Sequence, residues 1–263
     1  MPQTNTAEGS GGVVPMRFIY RSGEWYERIY PQSAEWAENC FQLVHRFAAN
    51  PPRSILDIGC GTGLALARFA DPAVERWGID ALPVMVGAAR QRDPDATVSI
   101  GDMRDLHLGR RFDAVIMLGG VFTHAKTNED VILTMQVLAE HTEEGAILVI
   151  EGMNACALLS GAADQRNWSI HFELDGNSYR GDAEIALDLP NSLFRIKRVW
   201  SMGNEVIDVE NSEHRFMLPL EMEAHLHHHG FELAGFADNG QLQPSDMSGA
   251  RSWLVAIRKP LLD

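Results

Sequence analysis

At 263 residues, 45% of them apolar and 22% charged, the chain is long enough to bury a full core. Its 36 acidic against 22 basic side chains give a net charge of −14, which repels phosphate backbones and anionic lipid and so argues against general nucleic-acid or membrane-surface binding. Cys40, Cys60 and Cys156 lie far apart with no CxxC pair, which excludes a disulfide framework and a zinc ribbon and points to a reducing, cytoplasmic setting.

Residues 1–16 read as a flexible lead without a basic start or an apolar run, and no later stretch approaches the roughly 18 apolar residues of a membrane span. Residues 17–50 are expected to form a helical lid. Within it Trp36, Cys40, Leu43, Val44 and Phe47 share one helical face, Ser33 is placed to cap it, and Asn50-Pro51-Pro52 stops it. Short apolar runs then alternate with helical segments. Strands are expected at 54–58, 76–79, 97–100, 112–118 and 146–150, with helices at 64–70, 83–92 and 130–140. Apolar runs without strict alternation suggest strands covered on both faces, and their repetition with helices implies right-handed parallel crossovers.

After Glu151 the pattern changes. Residues 169–218 alternate apolar with polar and carry turn signals at Asp175-Gly176-Asn177, Pro190-Asn191-Ser192 and Gly203-Asn204, so antiparallel strands are expected. A helix over 221–229 closed by Gly230 leads to strands at 231–236 and 252–257, placed as an antiparallel edge of the main sheet. The fold class that follows is α/β, a doubly wound and mostly parallel Rossmann-like sheet with an inserted antiparallel β segment and the amino-terminal lid. The core is assigned to 51–151 plus 219–263 and the substrate-side insertion to 152–218, whose strands form either a pocket roof or a homo-oligomer contact.

The sharpest local signal is Asp57-Ile58-Gly59-Cys60-Gly61-Thr62-Gly63, between the first strand and its helix. Glycines there let backbone amides approach a ligand. Their GxGxG spacing departs from the dinucleotide fingerprint, which wants glycine where Leu64 stands. Asp57, just before the first glycine, repels a pyrophosphate and attracts an ammonium group. Asp80, ending the second strand, can accept both hydroxyl protons of a ribose, and Asp102 with the Met103 amide can meet an adenine edge.

LDIGCGTG, GID at 78–80, GDMRD at 101–105 and FDAVIM at 112–117 together resemble the class I S-adenosylmethionine-dependent methyltransferases over about residues 50–151. GDMRDLHLGRRFDAVI and the amino-terminal YERIY further resemble bacterial N,N-dimethyltransferases of nucleotide-linked amino sugars and related antibiotic-pathway enzymes. The resemblance implies S-adenosylmethionine as cofactor, with S-adenosylhomocysteine as product. It gives Asp57, Gly59, Gly61 and Gly63 the methionine end, Asp80 the ribose, Asp102 and Met103 the adenine, and Met85 a place packed on that ring. Met117 and Leu118 flank the methyl group, and Cys60, Ala81 and Tyr26 complete the cofactor set.

Methyl transfer is an in-line displacement, so the protein's tasks are alignment, exclusion of water and, for an amine acceptor, removal of a proton. His124, in the loop after the fourth strand, is the first candidate for that proton. By the resemblance Tyr30, the second tyrosine of Tyr26-Glu27-Arg28-Ile29-Tyr30, faces the reaction centre, and Glu151 at the end of the fifth strand could meet the amine. Trp25, Phe122 and Trp168 are candidate walls of the acceptor pocket. Arg215 either binds an anionic part of the substrate or pairs with Glu213 or Glu221. The His225–His229 run lacks HExxH and suits a helix C-terminus, so no metal is assigned.

The function expected is N-methylation of a small amino sugar or sugar-bearing natural product. The alternatives are O-methylation of a small natural product, a cofactor-binding module without turnover, and a nicotinamide-dependent oxidoreductase. A small-molecule acceptor is the partner expected, with neither nucleic acid nor membrane.

Overall fold

The computed structural model describes residues 17–30, 34–161, 166–238 and 247–260. The lead before residue 17 and the Ser33 cap lie outside them. After a short 3-10 turn at Phe18–Tyr20, α1 (Gly23–Ile29) starts on Ser22, whose hydroxyl accepts the Trp25 amide at 3.0 Å. α2 (Ala34–Phe47) buries Ala37, Cys40, Leu43 and Val44 on one stripe.

The main sheet contains β1 (Ser54–Ile58), β2 (Glu75–Asp80), β3 (Thr97–Ile100), β4 (Phe112–Met117), β5 (Thr142–Met153), β10 (Phe231–Asp238) and β11 (Arg251–Arg258), in the order β10-β11-β5-β4-β1-β2-β3. β1 pairs in parallel with β2 on one side and β4 on the other, and the chain reverses its direction of travel across the sheet between them. That switch opens a crevice beyond the carboxyl ends of β1 and β4. β11 runs antiparallel to β5, and β10 runs antiparallel to β11, so β10 is parallel to the core strands and β11 alone is reversed. The expectation of an antiparallel two-strand edge is corrected to this extent: the reversed strand is inserted between two forward ones.

Helices α3 (Leu64–Ala67), α4 (Pro83–Arg92), α5 (Asn128–His141) and α7 (Pro219–His228) complete the layers with α2. α5 begins at a capping box in which the Thr127 hydroxyl accepts the Asp130 amide and the Asp130 carboxylate accepts the Thr127 amide, both at 3.0 Å. Such a box is worth about 1 kcal/mol. Cys40, Leu43 and Val44 of α2 pack with Ile55, Ala114 and Ile147 of the sheet. α2 is therefore a layer of the core and not lid, contrary to the assignment of all of 17–50 to a lid, because its stripe is wide enough to be covered by the sheet.

α6 (Ala155–Ser160) follows β5, starting from Asn154, whose side-chain oxygen accepts the Cys156 amide at 3.0 Å. It leads to a separate four-stranded antiparallel sheet of β6 (Asn167–Leu174), β7 (Asn177–Asp188), β8 (Leu193–Met202) and β9 (Glu205–Arg215) in sequential order. The inward face of this sheet meets the amino-terminal segment through Phe18, Ile19, Trp25, Ile29, Phe172 and Trp200. Trp200 fits because Gly181 stands opposite it on β7: a Cβ there would lie 2.5 Å from the indole.

Candidate active site

Two adjoining clefts open at the carboxyl ends of the parallel strands. The first, of about 540 Å³, is floored by the loop after β1 and edged by the ends of β2, β3 and β4. Gly59 has φ +76°, and a Cβ there would lie 2.3 Å from Val121, so the loop closes only with glycine. Asp80 ties the loop down from β2: its Oδ2 accepts the Gly61 amide and its Oδ1 the Leu82 amide, both at 2.9 Å. Burial pushes its carboxyl up, against the pull of those two amides.

Asp57 is 2% exposed, and its Oδ1 has no hydrogen-bond partner. Desolvation, with Asp80 adding like charge, pushes this carboxyl up to about 8. A buried acid with a free oxygen on a ligand-sized cleft is a place where a cationic donor would be strongly favoured. Asp102 instead grips Arg104 through both oxygens, at 2.8 and 2.6 Å, and that guanidinium holds its carboxyl below the usual range.

Tyr26, Asp57, Gly59, Cys60, Gly61, Asp80, Ala81, Met85, Asp102, Met103 and Leu118 all line this cleft. Gly63 and Met117 do not. Gly63, at φ +78°, caps the start of α3 with its Cα side packed on Ala89. Met117 is fully buried among Phe112, Met135 and Leu148. Successive strand residues face opposite ways, so Met117 and Leu118 cannot both flank one ligand, and Leu118 is the one facing the cleft.

The second cleft, of about 720 Å³, lies between the loop after β4 and the inward face of the inserted sheet. It shares Arg17, Tyr20, Tyr26, Trp36, Gly119 and His124 with the first. Tyr30 and Trp168 also line it. Among the described residues no carboxylate does.

His124 stands at the junction, an exposed residue that lines both clefts. The surrounding walls, then Arg17, Lys126 and Arg104, push its imidazole down to about 4, so it is neutral at physiological pH. His214 lies beside it, ring centroids 4.8 Å apart, and is likewise pushed down by burial, to about 3. The Thr123 hydroxyl donates to the Gly120 carbonyl at 2.6 Å, so it accepts from His214 Nδ1 at 3.0 Å, and Nε2 accepts from Ser212 at 2.9 Å. Both His214 nitrogens are thereby occupied, whereas no described residue hydrogen-bonds the His124 ring.

Tyr30 lines the second cleft, and its bonding there limits what it can do. Its oxygen accepts from Arg198 at 2.7 Å and burial raises its phenol, so it holds its proton and is a donor to any ligand, not a base. Glu151 is 1% exposed and bonded to the Gly119 amide at 2.8 Å and to the Arg251 guanidinium. It stands behind the cleft and fixes Arg251, which lines it. Trp25 is buried edge-on to Phe172 and Tyr179, and Phe122 is packed in the main core, so neither is a wall. Arg215 bonds Asn128 and Glu221, each at 2.8 Å, the structural one of its two readings.

The sequence reading missed Arg17, Tyr20, Trp36, Arg198, His214 and Arg251. A signal existed for Arg198: Phe194, Ile196, Arg198 and Trp200 alternate along β8, which puts a guanidinium in an otherwise apolar inward register. The amino-terminal residues and Arg251 carry no comparable mark. A further surface depression, about 1030 Å³, lies at the opposite, amino ends of the strands beside Asn50–Arg53 and Asp113, and none of the unpartnered buried polar groups among the described residues lies on it.

A parallel sheet with one reversed strand, a glycine loop at its switch point and acids at the tips of β1, β2 and β3 define the class I methyltransferase fold. Residues 55–145 accordingly match the family model described as a methyltransferase domain. Over 98 residues the chain is 40% identical to the dTDP-3-amino-3,4,6-trideoxy-alpha-D-glucopyranose N,N-dimethyltransferase of Streptomyces venezuelae, covering 37% of this chain and 41% of that protein. Over 145 residues it is 36% identical to the dTDP-3-amino-3,6-dideoxy-alpha-D-glucopyranose N,N-dimethyltransferase of Streptomyces fradiae, covering 55% and 54%. The matches thus span about half or less of these relatives. Among solved structures, Streptomyces venezuelae DesVI superposes with a TM-score of 0.72 at 24% identity over 89% of this chain and 95% of that one. CalS10, an amino pentose methyltransferase from Micromonospora echinaspora, superposes with a TM-score of 0.73 at 23% identity over 90% and 96%. These likenesses are of fold.

Proposed function

We propose that the chain methylates the nitrogen of a nucleotide-linked amino sugar, using S-adenosylmethionine. The observation that carries this reading is Asp57: a buried carboxylate with a partnerless oxygen, in a glycine-floored cleft that opens into a second, aromatic one. That oxygen fits the ammonium group of the cofactor's amino acid. Asp80 keeps lone pairs for ribose hydroxyls beyond its two amide bonds, and Met85 and Leu118 offer apolar surface to a purine. The names of the Streptomyces relatives support an amino sugar as acceptor.

When bound, S-adenosylmethionine supplies a methyl group activated by its sulfonium, so no strong base or metal is required of the protein. The chain's residues align and dehydrate the acceptor. Tyr20 and Tyr26, raised by burial, remain protonated donors between the two clefts. Neutral His124, with no other partner among the described residues, can accept a hydrogen bond from the attacking amine and leave its lone pair free. With no carboxylate of the described residues on the second cleft, a protonated amine finds no counterion among them.

Calorimetry with S-adenosylhomocysteine, followed by its release assay with dTDP-3-amino-3,6-dideoxyglucose, tests the reading. Micromolar binding and two methyl transfers to that sugar are expected. Absence of binding removes the cofactor assignment, and binding without turnover of amino sugars favours a binding module.

A further inference from the structure

The inward face of the inserted sheet contains a buried ion pair that the proposed reaction does not use. Arg198 on β8 and Glu210 on β9 stand directly opposite in register, 2.8 Å apart, with side chains 4% and 9% exposed. Glu210 also accepts the Trp200 indole N–H at 3.1 Å, and Trp200 is fully buried against Phe18. Both bonds fall on Glu210 Oε1, which links the indole to the guanidinium, while Glu210 Oε2 and Arg198 Nε have no hydrogen-bond partner among the described residues. The outer arm of Arg198 then reaches across to the carboxyl end of α1 and donates to the Tyr30 oxygen at 2.7 Å.

A guanidinium has no acceptor, so this bond has one polarity: Arg198 gives the hydrogen and the phenol oxygen takes it. One lone pair of Tyr30 is thereby used on the sheet side, and the phenolic hydrogen must point elsewhere. Tyr30 and Arg198 both line the acceptor cleft, where no carboxylate of the described residues competes for that hydrogen.

We propose that Arg198 is a positioning residue that turns the Tyr30 O–H into the acceptor cleft, where it donates to a hydroxyl or ether oxygen of the sugar. The inference rests on the reading of this cleft as the amino-sugar site. It gives the inserted sheet a task in substrate recognition, with Glu210 and Trp200 holding Arg198 from behind. It also states the chemistry of the contacted group: a neutral oxygen acceptor, since a protonated amine would meet a donor and a guanidinium at this point.

The test compares Arg198→Lys, Tyr30→Phe and the double variant. Lysine keeps a positive charge for Glu210 and loses the fork that reaches Tyr30. Each single change should raise KM for dTDP-3-amino-3,6-dideoxyglucose about tenfold, as for one lost hydrogen bond, with affinity for S-adenosylhomocysteine changed less than about twofold. The double variant should be no worse than Tyr30→Phe.

With four tyrosines in the chain, 13Cζ-tyrosine spectra give a second readout without acceptor, in which Arg198→Lys should move the Tyr30 signal. An unchanged KM, full additivity in the double variant or an unmoved Tyr30 signal overturns the proposal. Should lysine not support the fold, Arg198→Met combined with Glu210→Gln removes both charges together and takes its place in the same comparison. If the wild type binds S-adenosylhomocysteine but turns over no amino sugar, the substrate reading fails, and the Tyr30 signal alone decides whether Arg198 orients the phenol.

Discussion

β1 delivers the Asp57 carboxylate into a space where one oxygen has no donor, and the group answers by holding its proton. Its carboxyl is raised from 3.8 to about 8. The folded, ligand-free chain therefore keeps a proton at Asp57 that the unfolded chain releases near pH 4. This contribution to stability is present at low pH and falls as pH rises from about 4 through about 8. A cationic ligand needs the ionised form, so its affinity should rise over the same window, by up to about tenfold per pH unit. Asp57→Asn should flatten both slopes. Melting temperatures and calorimetric Kd values for S-adenosylhomocysteine from pH 5 to 9, wild type against variant, would show this, and parallel profiles would contradict it. The residue type and its place before Gly59 were legible in the sequence. The missing partner was not, since it depends on what every neighbouring element fails to supply.

At the scale of elements, β7 and β8 show how a glycine on one strand makes a functional position on the next. Gly181 has an ordinary strand conformation, and the space it leaves is filled by Trp200, whose indole holds Glu210 and through it Arg198. A Cβ at 181 would lie 2.5 Å from a buried aromatic ring that has no free direction to move. Gly181→Ala should cost about 1–3 kcal/mol in urea unfolding. It should also raise acceptor KM while cofactor affinity stays close to wild type. A neutral substitution would mean that the sheet can slide and that the Arg198 network is not rigid. Alternation over 169–218 and the turn signals at 175–177, 190–192 and 203–204 marked antiparallel strands here, and those turns flank β7 and β8, because the inner and outer faces differ in polarity. Alternation could not pair Gly181 with Trp200, since register is set by the turns at Asp188–Ser192 together with the packing of both faces.

For the whole molecule, the two clefts depend on three parts meeting: the switch point of the main sheet, α1 with the turn before it, and the inserted sheet. Glu27 of α1 shows the coupling, accepting the Thr62 hydroxyl of the glycine loop at 2.6 Å and pairing with Arg92 of α4 at 2.5 Å. A cofactor bound between these parts should stabilise all of them together. At S-adenosylhomocysteine about 100-fold above its Kd the linkage gain is about 2.7 kcal/mol, or a rise in melting temperature of about 5–10 °C for a chain of this length. A scanning calorimetry trace with no shift would contradict a preformed site.

The sequence by itself determined the βα core, the glycine loop and the acids at three strand tips, because hydrophobic period, turn chemistry and motif spacing are local properties. It equally marked Tyr26, Tyr30 and His124 as cleft residues. The tertiary structure decided what each can do. Tyr30 became a donor because Arg198, 168 residues away, occupies its oxygen. Glu151 became the anchor of Arg251, 100 residues distant, instead of a contact for the amine. Phe122, Trp25 and Met117 went to the core because packing, and not residue type, selects which apolar side chains face a cleft. Burial and partnership are sums over everything that surrounds a group, so they exist only once the distant segments have been brought together.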